Sequence, residues 1–100
     1  MPNEFDEAIK ALAHPLRRQI LQWLKQPDQH FPDQYHSFDA GVCAGQIHQK
    51  SKLSGSSASA HLALLHKVGL LNCQKIGQWH FYSRNENAIE NLLKQMRDEI

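Results

Sequence analysis

Cysteine is scarce in this chain. Only Cys43 and Cys73 occur, and they do not make a CxxC pair. That is too few for the disulfide framework of a small secreted domain. Long apolar runs are missing as well, and nothing approaches the roughly 20 apolar residues of a membrane span. No basic start followed by an apolar stretch reads as a secretory leader, so the expected location is cytoplasmic, with no membrane partner. Charge of one sign is absent too. Lys and Arg number 11 against 10 Asp and Glu, a net +1 with histidine neutral. A strongly basic footprint for nucleic acid is therefore lacking, although distribution matters more than the sum. Catalytic signatures are also missing. Seven histidines are present, but no Ser-His-Asp set, phosphate loop or HExxH accompanies them, and no enzyme and no cofactor are expected.

What is present is an uneven charge distribution. Glu4, Asp6 and Glu7 open the chain, and Glu86, Glu90, Asp98 and Glu99 crowd its end, while the middle is richer in Lys and His. Acidic ends around a more basic centre fit a protein that pairs with a second copy through its ends and meets phosphate through its middle. The 100 residues are enough for one domain with a modest core, and dimerisation would bury more apolar surface.

Periodicity and caps divide the chain. Asn3 is a candidate N-cap for a helix to about Ala13, with Phe5, Ile9 and Leu12 on one face. His14-Pro15 restarts the chain, Pro15 suiting the first turn of a helix that ends near Gln26. Residues 27–41, PDQHFPDQYHSFDAG, read as an irregular inserted loop, longer than the usual 4–6 or so residues. Its Phe31, Tyr35 and Phe38 imply that part of it packs back on the domain. Val42 to Lys50 is expected as a short third helix with Ile47 inward. After a turn over residues 51–55, Ser54 caps a fourth helix that runs from about Ser56 to Lys67 and stops at Gly69. Leu70–Gln74 and Trp79–Arg84 read as strands, joined by a Lys75–Gln78 tip. A final helix from Glu86 carries Ile89, Leu92, Leu93, Met96 and Ile100 as one apolar stripe.

Helix, tight turn, helix and then a hairpin is winged helix-turn-helix organisation, mainly α with a β-hairpin wing. In such a fold the second helix of the pair enters the major groove, and the wing brings Lys75 and Gln78 to phosphate or the minor groove. The fourth helix begins with Ser54, Ser56, Ser57, Ser59 and Ala60, followed by His61; Lys50 lies just before the turn. Small residues allow close approach of the backbone, and hydroxyls bond phosphate or either kind of base edge. No Arg, Asn or Gln stands on this face for bidentate base reading, so the wing and DNA shape are expected to supplement it.

Several segments resemble the ArsR/SmtB family of winged-helix repressors: Ala11-Leu12-Ala13-His14-Pro15-Leu16-Arg17-Arg18-Gln19-Ile20-Leu21, Leu53-Ser54-Gly55-Ser56-Ser57-Ala58-Ser59-Ala60-His61-Leu62-Ala63-Leu64-Leu65, Val68-Gly69-Leu70-Leu71 and Gly77-Gln78-Trp79-His80-Phe81-Tyr82. The resemblance covers nearly the whole chain apart from residues 27–41. It implies a homodimer built on the first and last helices, with Phe5, Ile9, Leu12, Ile89, Leu92, Leu93 and Met96 as interface candidates. It also implies double-stranded operator DNA as partner and release of the repressor by a signal. Ala60 departs from the larger or charged residue usual near that position. The family's zinc site on the last helix needs histidines, and residues 86–100 contain none. Its thiolate site needs two cysteines one residue apart; Cys43 matches the first and Gly45 replaces the second. His30, Asp33, His36 and Asp39 precede Cys43, but their spacings match no firm ligand pattern, so no metal site is assigned. Cys43 near a helix start is a candidate redox sensor, against the reading of a small buried apolar residue. Two alternatives to a DNA-binding repressor stand beside it: a winged-helix module that binds protein, and a zinc- or thiol-responsive repressor sensing through Cys43.

Overall fold

A computed structural model describes residues 3–100. Its first two helices follow from their caps. Asn3 Oδ1 accepts the Asp6 amide at 2.8 Å and starts helix α1, Glu4–Leu12. His14 Nδ1 accepts the Leu16 amide at 3.1 Å and starts α2, Pro15–Lys25, whose proline sits where an amide hydrogen is not needed. The inner faces of both helices, with Ala8, Ala11, Ile20, Leu21 and Leu24, enter one core with Ile47, Leu62, Leu65, Leu70, Leu71 and Leu92.

The inserted loop is more ordered than its composition predicts. It holds a short helix α3, Pro27–His30, and a 3-10 turn at Phe38–Ala40. Its aromatics divide. Phe31 is 2% exposed in the core and Phe38 packs against it partly buried, whereas Tyr35 is 96% exposed. Gln34 ties the segment down. Its amide nitrogen donates to the carbonyls of His36, Ser37 and Gly41, and its Oε1 accepts the Cys43 amide at 2.8 Å.

The expected third helix starts late. Val42–Cys43 is a strand, β1, and helix α4 runs Ala44–Ser51. Val42 pairs with Tyr82 and Cys43 with Phe81. Gly41 makes this possible: at φ +110° it lies so close that a Cβ there would stand 2.3 Å from the Tyr82 carbonyl oxygen, a position open only to glycine. Strands β2, Leu71–Ile76, and β3, Trp79–Arg84, complete an antiparallel sheet of order β1-β3-β2. The hairpin is therefore longer than expected and its tip shorter. Lys75 pairs with His80 inside the ladder, and the turn is Gly77-Gln78 alone, with Gly77 at φ +62°. In chain order, α5, Gly55–Lys67, follows α4 and leads into β2. It stops as expected at Gly69, φ +87°, where the Gly69 and Leu70 amides return to the His66 and Leu65 carbonyls. Helix α6, Glu86–Glu99, capped by Asn85, closes the order.

Phe31→Ala is expected to cost about 3 kcal/mol, as for other buried phenylalanines. Tyr35→Ala should stay within about 0.5 kcal/mol, as exposed positions do. Urea unfolding of the two variants checks the division of the loop into a buried anchor and a free ring.

Candidate nucleic-acid interface

The turn between α4 and α5 is built by its own side chains. Lys52 takes the left-handed conformation at φ +60°, uncommon for a residue with a side chain. Ser51 Oγ donates to the His48 carbonyl at 2.8 Å and accepts the Leu53 amide, holding the reversal. Gly55, the first residue of α5, lies against the His48 ring of α4. Ser54 is the N-cap: its Oγ accepts the Ser57 amide at 3.3 Å, donates to Ser57 Oγ at 3.0 Å and lies 3.3 Å from Ser56 Oγ. The start of α5 thus presents linked hydroxyls on a helix N-terminus, where the peptide dipoles favour an anion.

Ser54, Ser56, Ser57, Ser59 and Ala60 are all exposed, while Ala58, Leu62 and Leu65 of the same helix are buried. One face of α5 therefore belongs to the core and the other is free. His61 is half-buried at the boundary. Lys75 and Gln78 are exposed on the wing. Lys50 is exposed too, but its ammonium sits 5.3 Å from the Trp23 ring centre and 5.8 Å from that of Phe31, a cation–π arrangement that leads it toward α2 and the loop. The dimer candidates also divide. Phe5, Ile9, Leu12, Ile89 and Met96 are partly buried against the core, and Leu92 at 7% exposure belongs to it. Leu93, at 55%, is the member left open, with Ile100 exposed beyond it.

Cys43 is 8% exposed, its amide held by Gln34. Among the described residues no three His, Cys, Asp or Glu side chains gather as a metal site. Cys73 is the more open thiol. Its Sγ lies 3.7 Å from His80 Nδ1, and Tyr82, its partner across the ladder, is pushed up to about 12, by burial first and then by that thiol.

Three contributors escape sequence reasoning. His36, from the inserted loop, sets its ring edge-on to Phe81 at 5.4 Å and lies 6.1 Å from Trp79, so the loop grips the wing. His14 and Arg17 converge on α5. The rings of His14 and His61 are 4.5 Å apart, and Arg17 Nη1 lies 3.2 Å from His61 Nδ1. The HPLR segment pointed to these residues, but not to their shared partner, 44 positions on from Arg17. Burial, then His14, then Arg17 hold the His61 imidazole below its ordinary value of 6.5. Charge completes the surface. Between residues 40 and 85 the chain has no carboxylate, while Lys50, Lys52, Lys67, Lys75 and Arg84 all fall there. Near-neutrality of the whole is a sum of acidic ends and a cationic middle.

A helix pair joined by a tight turn, backed by a three-stranded sheet with a projecting hairpin, defines a winged helix-turn-helix protein. No protein-family profile matches the chain. It is 43% identical over 97 residues to YbzH, an uncharacterized HTH-type transcriptional regulator of Bacillus subtilis, spanning 94% of this chain and 96% of that one. It is 28% identical over 95 residues to the transcriptional repressor SdpR of the same organism, spanning 95% and 91%. The solved structure of HlyU from Vibrio cholerae superposes with a TM-score of 0.63 at 30% identity, over 93% of this chain and 90% of that one. An ArsR family transcriptional regulator at 18% identity shares the fold with a TM-score of 0.70, over 98% and 91%. The chain belongs to the ArsR/SmtB family of winged helix-turn-helix transcriptional regulators.

Ser54→Ala should remove the α5 cap and cost about 1 kcal/mol of stability. Ser59→Ala, exposed and uncapped, should change stability by less than about 0.5 kcal/mol. Thermal or urea unfolding of both variants gives the comparison.

Proposed function

We propose that this transcriptional regulator acts in the cytoplasm as a homodimeric repressor that binds double-stranded operator DNA and is released by a signal. One observation carries the reading. The exposed face of α5, the helix after the tight turn, is small, hydroxyl-rich and free of carboxylate, and the wing beside it bears Lys75 and Gln78. Such a face approaches a groove closely, and its linked hydroxyls and helix N-terminus suit phosphate. Absence of a bidentate base reader on α5 leaves specificity to the wing, to DNA shape and to the spacing of two half-sites in a dimer. Leu93 on α6 and Ile100 just past its end are exposed and supply apolar surface for the second copy. The relatives include a named repressor, SdpR, and a named activator, HlyU.

Gel retardation on the DNA upstream of its own gene tests the reading. Salt-sensitive retardation at sub-micromolar protein is expected, and its absence at micromolar protein would sink it. Lys75→Ala should weaken binding across sequences and reduce the steepness of the log–log salt dependence by about 1, as loss of one phosphate contact does. Leu93→Glu should lower the mass seen by sedimentation from dimer to monomer; an unchanged dimer would place the interface elsewhere.

A further inference from the structure

The contact between the second helix and α5 has a chemistry of its own. Arg17 Nε donates to the Ala11 carbonyl at 2.6 Å, and Nη2 donates to the Lys10 carbonyl at 3.4 Å. The neighbouring Arg18 guanidinium bonds the Leu12 carbonyl. The carbonyls left over at the end of α1 are thereby taken by the start of α2. Of the N–H groups that remain, one on Nη1 faces His61 Nδ1 at 3.2 Å. A guanidinium only donates and does not lose its proton in proteins. His61 Nδ1 must therefore accept, and the imidazole must be neutral with its hydrogen on Nε2.

We propose that Arg17 is the positioning residue of the recognition helix, tying α5 to the α1–α2 corner through a neutral His61, so that acidification breaks the tie and weakens DNA binding. The proposal rests on the DNA-binding reading above. Protonated, His61 has two donors and no acceptor, and a second cation then faces the Arg17 guanidinium. The titratable and charged groups that face His61 are His14 and Arg17, neither able to compensate a positive charge. On α1, Lys10 and Glu7 pair with one another at 4.0 Å. On α4, His48 lies against Gly55, about 9 Å back along the axis of α5. Burial and the two neighbours already disfavour the charged ring. The folded state therefore takes up this proton at lower pH than the unfolded chain. Its contribution to stability is complete above the ordinary 6.5 and is lost as pH falls from there through the folded-state value.

The test compares wild type with His61→Gln, whose side-chain oxygen accepts from Arg17 at every pH. Each protein's affinity for its upstream DNA is measured at fixed salt at pH 7.5 and 5.5, and each is referred to its own value at pH 7.5. This cancels the titration of the other histidines. Wild type should lose roughly tenfold more than His61→Gln, the size of one lost charge-assisted contact. Parallel profiles would overturn the proposal. The His61 imidazole is also titrated by NMR without DNA, in wild type and in Arg17→Gln. Its midpoint should lie below 6.5 in wild type and rise in the variant; the same midpoint in both overturns the tie. If Arg17→Gln does not fold, urea stability at the two pH values replaces it. Wild type should lose more than His61→Gln, and equal losses overturn the tie. Absence of retardation at any pH would refute the DNA-binding reading instead, and the NMR result alone would then decide the Arg17–His61 contact.

Discussion

The reading surface depends on a strand of two residues. Val42 and Cys43 pair with Tyr82 and Phe81, which joins the helix-turn-helix to the wing through backbone hydrogen bonds rather than through a flexible link. Gly41 is pressed against the Tyr82 carbonyl, and Gln34 holds the same stretch from the other side. With β1 in place, α4 starts at a fixed point on the sheet, and α5, packed on α4, takes its angle relative to the hairpin. Without that pairing, α4 would lose its fixed point on the sheet, and α5 would be tied to the hairpin only through its short link to β2 at Gly69 and Leu70.

A second set of contacts holds the other end of the frame. Arg17 and Arg18 cover the last carbonyls of α1, and Arg17 continues to His61. Arg84 acts similarly on the sheet side. It donates to the Leu21 carbonyl and pairs with Glu86, joining β3 to α2 and to the first turn of α6. Each of these arginines reaches a backbone carbonyl, and Arg84 adds an ion pair with Glu86. Such contacts satisfy helix ends that would otherwise go unpaired near the core. The inserted loop does the same work at the wing with rings: Phe31 anchors it and His36 leans on Phe81.

Much of this was legible in the residues. Asn3, His14 and Ser54 mark helix starts because capping is a matter of a few neighbouring atoms, and Gly69 marks a stop for the same reason. The exposed serine face of α5 followed from a helical period that sends Ala58, Leu62 and Leu65 inward. Val42-Cys43 misled, since two residues beside a helix carry no period, and their strand exists only because β3 lies alongside. Lys75 moved from the tip into the ladder because a two-residue turn with Gly77 leaves room for a longer pairing. Leu92 and Leu93 look alike on the stripe of α6, yet the first is spent on the protomer's own core and the second is left open.

The sequence by itself determined the order of the longer helices and the hairpin, the caps at Asn3 and Ser54, the helix-turn-helix with its wing and the small hydroxyl character of α5, all of which rest on contacts within a few residues along the chain. The tertiary structure decided how those parts are held. The third strand, the grip of His36 on the wing and the Arg17–His61 contact each bring together residues 38 or more positions apart, and no local period or cap encodes which distant side chain will arrive. Hydrogen bonds of that span form only after apolar burial has closed the loop between their partners, so the folded core chooses them.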